Sequence, residues 1–219
     1  MTRPDSSVSP AAGASFAVLP LAPAQLANLA TLGYLAMTPV QAASLPLALA
    51  GDDLIVQAQT GSGKTAAFAL ALLAKLRLEG QSQPFAVQAL VLCPTRELAD
   101  QVTTEIRRLA RSEDNVKALT LCGGVPLRNQ QASLEHGAHI VVGTPGRLID
   151  HLERGALQLA ALTTLVLDEA DRMLDMGFHD AIATIAKQCP KQRQTLLFSA
   201  TYPDGIAQLA SSSCVRRRP

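Results

Sequence analysis

The sequence predicts an α/β fold: one doubly wound, mainly parallel sheet with helices on both faces. Three observations carry that expectation. Short β-branched or leucine-rich runs recur at Asp53–Ala58, Ala89–Cys93, Ala118–Cys122, His139–Val142, Thr164–Leu167 and Thr195–Phe198. Most are apolar on both faces, as strands covered on each side by helices require. Longer stretches with helical spacing, such as Ala66–Leu78 and Glu97–Ala110, separate several of them, so strand, helix and strand alternate as in right-handed βαβ crossovers.

The elements follow in order. Residues 1–15 are Pro/Ser/Ala/Gly text without periodicity and are expected to form a floppy lead-in. Helical spacing begins at Leu26, with Leu29 and Ala30 on the same face, and a second short helix follows Thr38-Pro39, where proline suits a first turn. From there the alternating units run without internal repeat or linker, so residues 16–210 read as one domain, followed by a tail, 211–219, that ends in Arg216-Arg217-Arg218-Pro219. That arginine triplet reads as a solvated end rather than a nucleic-acid patch. Arg107, Arg108 and Arg111 likewise read as a solvated helix face.

Composition narrows the function classes. Lys plus Arg number 19 and Asp plus Glu 18, a net charge of +1, so a histone-like positive coat is excluded and any nucleic-acid contact must be local and geometric. With 48% hydrophobic and 17% charged residues, the 219-residue chain has ample material for a core. Aromatics are 3% with no Trp, so the core is built from Ala, Leu, Val and Ile, and an aromatic base-stacking platform is excluded. Four cysteines lack any C-x-x-C pair; Cys93 and Cys122 end apolar runs and read as small buried hydrophobes. His136 and His139 read as loop residues, not metal ligands. No signal-peptide layout opens the chain, and its longest clean apolar stretch, Ala66–Ala74, is far short of a bilayer span. The expectation is a reduced, cytoplasmic, monomeric protein without a membrane partner.

In doubly wound sheets ligands bind beyond the carboxyl ends of the strands, and there the informative residues lie. After Asp53–Val56 comes Ala58-Gln59-Thr60-Gly61-Ser62-Gly63-Lys64-Thr65, then an apolar helix. Gly61 and Gly63 let the backbone curl so that successive N–H groups face one anion, and the helix N-terminus adds positive potential. Lys64 can reach β- and γ-phosphates, and the Thr65 hydroxyl can ligate Mg²⁺. A glycine-rich turn that binds nothing is the competing reading; an intact Gly-Lys-Thr between strand and helix disfavours it. After Leu165-Val166-Leu167 comes Asp168-Glu169-Ala170-Asp171. By itself this tetrapeptide reads as a solvated acidic turn. Beside a phosphate loop, Asp168 fits the second Mg²⁺ partner and Glu169 the group that polarises the attacking water.

Together these two motifs resemble the DEAD-box ATP-dependent RNA helicases, and further matches appear in that family's order. Gly33–Gln41 resembles the Q motif, with Phe16 at its upstream aromatic and Met37 where proline is often found. Pro94–Gln101 resembles motif Ia, Gly123-Gly124 the GG motif, Thr144-Pro145-Gly146-Arg147 motif Ib, and Ser199-Ala200-Thr201 motif III. The wording of ALVLCPTRELADQV and DEADRMLDMGF is closest to the family's bacterial ribosome-assembly members. The resemblance implies a RecA-like P-loop NTPase domain that binds ATP through Phe16, Gln41, Thr60, Gly61, Ser62, Gly63, Lys64 and Thr65. Lys64, Asp168 and Glu169 carry the chemistry in that reading, and Thr65 and Asp168 hold Mg²⁺. Gln41, with an amide that can serve N6 and N7 of adenine, selects ATP.

It also implies that Thr95, Arg96, Gly123, Gly124, Thr144, Gly146 and Arg147 grip an RNA sugar-phosphate backbone with little sequence information. Asp171 pairs with Ser199 and Thr201 to couple nucleotide state to that grip. The family's core has two RecA-like domains, and only the first is represented among these motifs; a second RecA-like domain is therefore the expected partner, alongside RNA, ribosomal RNA for the parent protein. Two functions remain open: the ATP-binding half of an RNA helicase, or a stand-alone ATP- and RNA-binding module with negligible turnover. A DNA-translocating motor is disfavoured by the Q motif and Asp171.

Overall fold

Each apolar run becomes a strand, and the strands lie side by side. The computed structural model describes residues 13–78, 85–201 and 205. Among these, β1 (Leu54–Gln57), β2 (Ala89–Leu92), β3 (Ala118–Leu121), β4 (Ile140–Gly143), β5 (Thr164–Leu167) and β6 (Gln194–Ser199) form one parallel sheet in the order β1-β6-β5-β2-β4-β3. The α-helices are α1 (Pro23–Thr31), α2 (Pro39–Ala50), α3 (Lys64–Leu73), α4 (Arg96–Leu109), α5 (Leu127–Glu135), α6 (Pro145–Glu153), α7 (Ala170–Asp175) and α8 (His179–Gln188).

Alternate residues of one strand enter opposite cores. Ala89, Val91 and Cys93 join α2, α3 and α4 on one face, through Ala42, Leu45, Phe68, Leu72, Val102 and Ile106. Leu90 and Leu92 join α7 and α8 on the other, through Met173, Ile182 and Ile185. Every residue of β2, β4, β5 and β6 is buried, which is why those runs show no polar alternation.

Local chemistry sets the helix ends. Thr38 and Gln41 form a reciprocal capping box that opens α2, with Pro39 at its first position. Thr95 caps α4, Glu97 lies in its first turn, and Arg107 and Arg108 in its last complement the helix dipole. Asn28 Nδ2 donates to the Arg108 and Leu109 carbonyls, closing the C-terminal end of α4.

Two differences from the sequence reading stand out. The helix expected from Ala66 to Leu78 begins at Lys64 and ends at Leu73, because Gly63 turns into the left-handed region and starts it. The expected lead-in is ordered where it is described: Gly13 and Ala14 exchange backbone hydrogen bonds with Met37. The rest of that segment, with Cys214, the tail 211–219 and the triplet Arg216–Arg218, lies outside the described residues. His139 lies in the loop just before β4, as expected, but is buried there; its Nδ1 accepts from the Lys117 N–H at 3.1 Å and its ring packs on Phe85. Arg107 is on the exposed face of α4, as expected, and also makes a hydrogen bond. Its Nη2 donates to Ala118 O at 2.7 Å, occupying an acceptor on the edge strand β3. Cys93, Cys122 and Cys189 are buried free thiols.

Candidate nucleotide and RNA site

The strand order sorts the functional segments into two neighbouring sets. The ends of β1, β6 and β5 carry Ala58–Thr65, Ser199–Thr201 and Asp168–Asp171. The ends of β2, β4 and β3 carry Thr95-Arg96, Thr144–Arg147 and Gly123-Gly124.

In the first set, Gly61 and Gly63 adopt φ of +82° and +90°, a region that other residues enter only with strain. Gly63 also lacks room for a side chain: a Cβ there would lie 2.6 Å from Gln41 Nε2 and 2.9 Å from Thr38 Oγ1. The close approach has a purpose visible in the bonding. Gln41 Oε1 accepts from the Thr38 N–H at 2.9 Å, and Gln41 Nε2 donates to Gly63 O at 3.1 Å, so one amide ties the start of α2 to the phosphate loop. An amide has two donor hydrogens and two acceptor lone pairs, so one of each remains. Gln41 is 1% exposed. Phe16 is also buried, 3% exposed, with its ring edge-on to Tyr34 at 6.2 Å. The structure thus places the upstream aromatic inside the core beside the Q motif.

Lys64 lies between two carboxylates, its Nζ 3.0 Å from Asp168 Oδ1 and 3.3 Å from Glu169 Oε1. Thr60 Oγ1 donates to Glu169 Oε1 at 3.0 Å, and Arg172 Nη1 lies 3.4 Å from Oε2. Glu169 holds φ of +53°, uncommon for a non-glycine residue, at the sharp turn from β5 into α7. The two acids titrate in opposite directions. Burial pushes the Asp168 carboxyl up, and the nearby Lys64 only partly offsets it. Burial also pushes Glu169 upward, but Lys64 and the hydrogen bonds from Thr60, Lys64 and Arg172 outweigh it and hold its carboxyl below the ordinary range.

Asp168 is 0% exposed; its Oδ1 is ion-paired with Lys64, and its Oδ2 has no hydrogen-bond partner among the described residues. A buried carboxylate oxygen left this way suits a hard cation with oxygen ligands. No group of three or more His, Cys, Asp or Glu among the described residues could hold a metal. Mg²⁺ at Asp168 and Thr65 would therefore complete its shell with phosphate and water, its usual manner of binding beside nucleotides. The raised Asp168 pKa yields a stability prediction. An acid whose folded-state pKa lies above its unfolded value binds protons preferentially in the folded chain, so its ionisation destabilises the fold as pH rises. Asp168→Asn, which mimics the protonated form, is expected to raise the melting temperature of the ligand-free chain at neutral pH. The gain should shrink as the buffer is made acidic; a lower melting temperature at neutral pH would contradict the assignment.

Within the first set, at the neighbouring ends of β5 and β6, Asp171 Oδ2 accepts from the Thr201 N–H at 2.9 Å and from Thr201 Oγ1 at 3.0 Å, while Ser199 Oγ accepts from the Asp171 N–H at 3.2 Å. The structure brings together the three residues grouped from sequence. Burial raises the Asp171 carboxyl, but the two Thr201 donors and the other hydrogen bonds hold it below the ordinary range.

In the second set, Thr95 and Thr144 stand at the N-termini of α4 and α6. Thr144 makes no side-chain cap, and a Cβ on Gly146 would meet nothing within 4 Å, so the first turn of α6 is open. The Arg96 guanidinium lies over the glycine turn, since a Cβ on Gly124 would fall 2.8 Å from its Nη1. Arg147 behaves differently. Its side chain is 14% exposed, and Nη1 donates to Val125 O at 2.9 Å and Gln130 Oε1 at 3.0 Å, so this guanidinium is turned largely inward. Sequence reasoning did not single out Gln130 or His151, which meet Arg147 there.

Comparison with known proteins agrees with this arrangement. The ATP-dependent RNA helicase DbpA of Escherichia coli (strain K12) is 62% identical over 199 residues, which is 91% of this chain and 42% of that protein. The DEAD-box ATP-dependent RNA helicase CshA of Streptococcus pneumoniae (serotype 4) is 50% identical over 184 residues, 84% of this chain and 34% of that protein. A crystal structure of a DEAD box protein from the hyperthermophile Methanococcus jannaschii matches with a TM-score of 0.85 at 39% identity, covering 92% of this chain and 54% of that one. The chain thus spans less than half the length of these two helicases. Residues 38–209 match the DEAD/DEAH box helicase description, and with the phosphate loop and the Asp-Glu-Ala-Asp turn facing each other across β6, the chain belongs to that family.

Proposed function

We propose that this chain is the ATP-binding half of an ATP-dependent RNA helicase that couples ATP hydrolysis to unwinding or remodelling of RNA duplexes. The proposal extends to ribosome assembly in the cytoplasm, with ribosomal RNA as substrate and a second RecA-like domain as partner. The observation that supports it most is the division of one sheet into a phosphate-and-carboxylate half, in which Asp171 is bonded to Ser199 and Thr201, and a half rich in N–H groups. Among the described residues no helix is long and apolar enough to cross a membrane.

The residues divide the work. Thr60, Gly61, Ser62, Gly63 and Thr65 cradle the triphosphate with backbone N–H groups and the start of α3. Lys64 exchanges its two carboxylate partners for β- and γ-phosphate oxygens. Thr65 and Asp168 would hold Mg²⁺, which when bound would neutralise charge on those oxygens. Glu169, relieved of Lys64 but still steadied by Thr60 and Arg172, orients and polarises the attacking water. The remaining donor and acceptor of Gln41 match N7 and the N6 amino group of adenine, with Phe16 packing behind that edge.

On the other half, Thr95, Arg96, Gly123, Gly124, Thr144 and Gly146 form a track for the sugar-phosphate backbone, with the inward-turned Arg147 beneath it. Two helix N-termini and a glycine turn offer N–H donors that contact phosphate without reading bases. Few charges contribute, so the isolated 219-residue chain is expected to bind single-stranded RNA weakly, with a shallow dependence on salt. Filter binding across a salt series checks this. Nanomolar affinity with strong sequence preference would overturn the proposal of a backbone track.

A further inference from the structure

The Gly123-Gly124 turn is pinned at both ends by one buried side-chain network. Gln130 of α5 donates from Nε2 to Cys122 O, the carbonyl before the turn, at 2.8 Å. Arg147 of α6 donates to Val125 O, the carbonyl after it, at 2.9 Å. The two halves meet at Gln130 Oε1, which accepts from Arg147 Nη1 at 3.0 Å and pairs with His151 Nε2 at 2.9 Å. Two donors on that oxygen fix the amide orientation, so Nε2 must face Cys122 O. They also fix the imidazole with its proton on Nε2. His151 is 0% exposed, and its Nδ1 has no hydrogen-bond partner among the described residues, so a protonated ring would bury an unpaired donor.

We propose that Gln130 is the positioning residue of the RNA-facing glycine turn, with His151 orienting it and Arg147 as the second arm of the same brace. This rests on the RNA reading of Gly123 and Gly124 given above. A glycine pair has little conformational preference of its own. Without the network, its N–H groups would sample many directions and lose the alignment that a phosphate needs. Arg147 therefore contributes to RNA affinity mainly from beneath the track, by holding Val125 O.

Two substitutions and one control test this. Gln130→Leu keeps approximate size but strips the hub, and Arg147→Gln removes the second arm. Ser133→Ala, on the same helix but outside the network, is the control. Affinity for a fluorescein-labelled oligouridylate is measured across a salt series, mant-ATP affinity is measured in parallel, and amide spectra are recorded without RNA. Gln130→Leu is expected to weaken oligouridylate binding roughly tenfold or more, as leaving several buried polar groups unpaired implies. Adding Arg147→Gln should then cost little more, because both variants break one network. Arg147→Gln alone should weaken binding without flattening the salt dependence.

A direct Arg147–phosphate contact would instead reduce the salt slope by about 0.7 and give additive losses in the double variant; that result overturns the proposal. The RNA-free spectra separate this inference from the RNA reading. Resonances of Gly123, Gly124 and Val125 should move in Gln130→Leu while those of Gly61 and Gly63 stay in place. Unmoved turn resonances reject the brace even if RNA binds. Moved resonances in a chain whose native form binds no RNA support the brace and reject the RNA track.

Discussion

Glu169→Gln is expected to abolish ATP turnover while sparing ATP binding, in a system where the chain is assayed together with a separately made second RecA-like domain. The substitution is close to isosteric, and a glutamine oxygen can still accept from Thr60, so the turn at φ of +53° keeps its local support. What is lost is the negative charge that polarises water, a role worth roughly 10²–10⁴ in rate. The same assay bears on the 219-residue chain by itself. In the proposed site Lys64, Thr65, Asp168 and Glu169 would hold the γ-phosphate, the metal and the water, but phosphoryl transfer also needs neutralisation of transition-state charge. An arginine finger commonly supplies that, worth about 10³–10⁵. The arginine that touches Glu169, Arg172, is occupied in an i,i+3 pair with it. The chain alone is therefore expected to hydrolyse ATP very slowly and to unwind no duplex, and the added domain should restore part of the turnover. Phosphate release with and without RNA measures both. Brisk RNA-stimulated hydrolysis by the isolated chain would show that its own residues complete the site.

Lys64→Ala should have two separable effects of comparable size. Loss of a charge-assisted contact to phosphate removes at least about 1.5–3 kcal/mol of ATP affinity, roughly 10- to 100-fold. In the ligand-free chain it leaves Asp168 buried beside Glu169 with no cation at 3.0 Å. Stripping one partner from a buried pair typically destabilises by about 3–5 kcal/mol. The second effect is relieved in acid, because a protonated Asp168 no longer needs the cation. Calorimetric ATP titration reads the first effect, and melting temperature across a pH series reads the second. A melting temperature lowered equally at all pH values would contradict the pairing of Lys64 with an ionised Asp168.

The fold and the phosphate half of the site were legible because their signals are local. Strand runs, Gly61, Gly63 and Lys64, and the carboxylates after β5 each sit within a few residues of the element that positions them. The sequence could not show what crosses between elements. Gln130 lies in an amphipathic helix and looks like a surface amide; only folding brings it against Arg147 and His151, 17 and 21 residues later. Arg147 was visible as a motif residue, but not its inward commitment to Val125 O. Phe16 was singled out by resemblance as the upstream aromatic, whereas its burial against Tyr34 and the core around it was not visible in the sequence. Arg107 lies on an exposed helix face, but its bond to Ala118 O could not be read, because the edge position of that strand follows from the sheet order.

The central claim is that the ends of β1, β6 and β5 form an adenine-nucleotide site in which Gln41 reads the base. Isothermal titration of the 219-residue chain with ATP and with GTP, each with Mg²⁺, tests it most directly. The remaining donor and acceptor of Gln41 complement N6 and N7 of adenine, whereas guanine presents O6 and N7, two acceptors, to the same pair. ATP is expected to bind measurably more tightly than GTP, and Gln41→Ala should erase the difference. Equal affinity for the two nucleotides in the native chain would contradict the account.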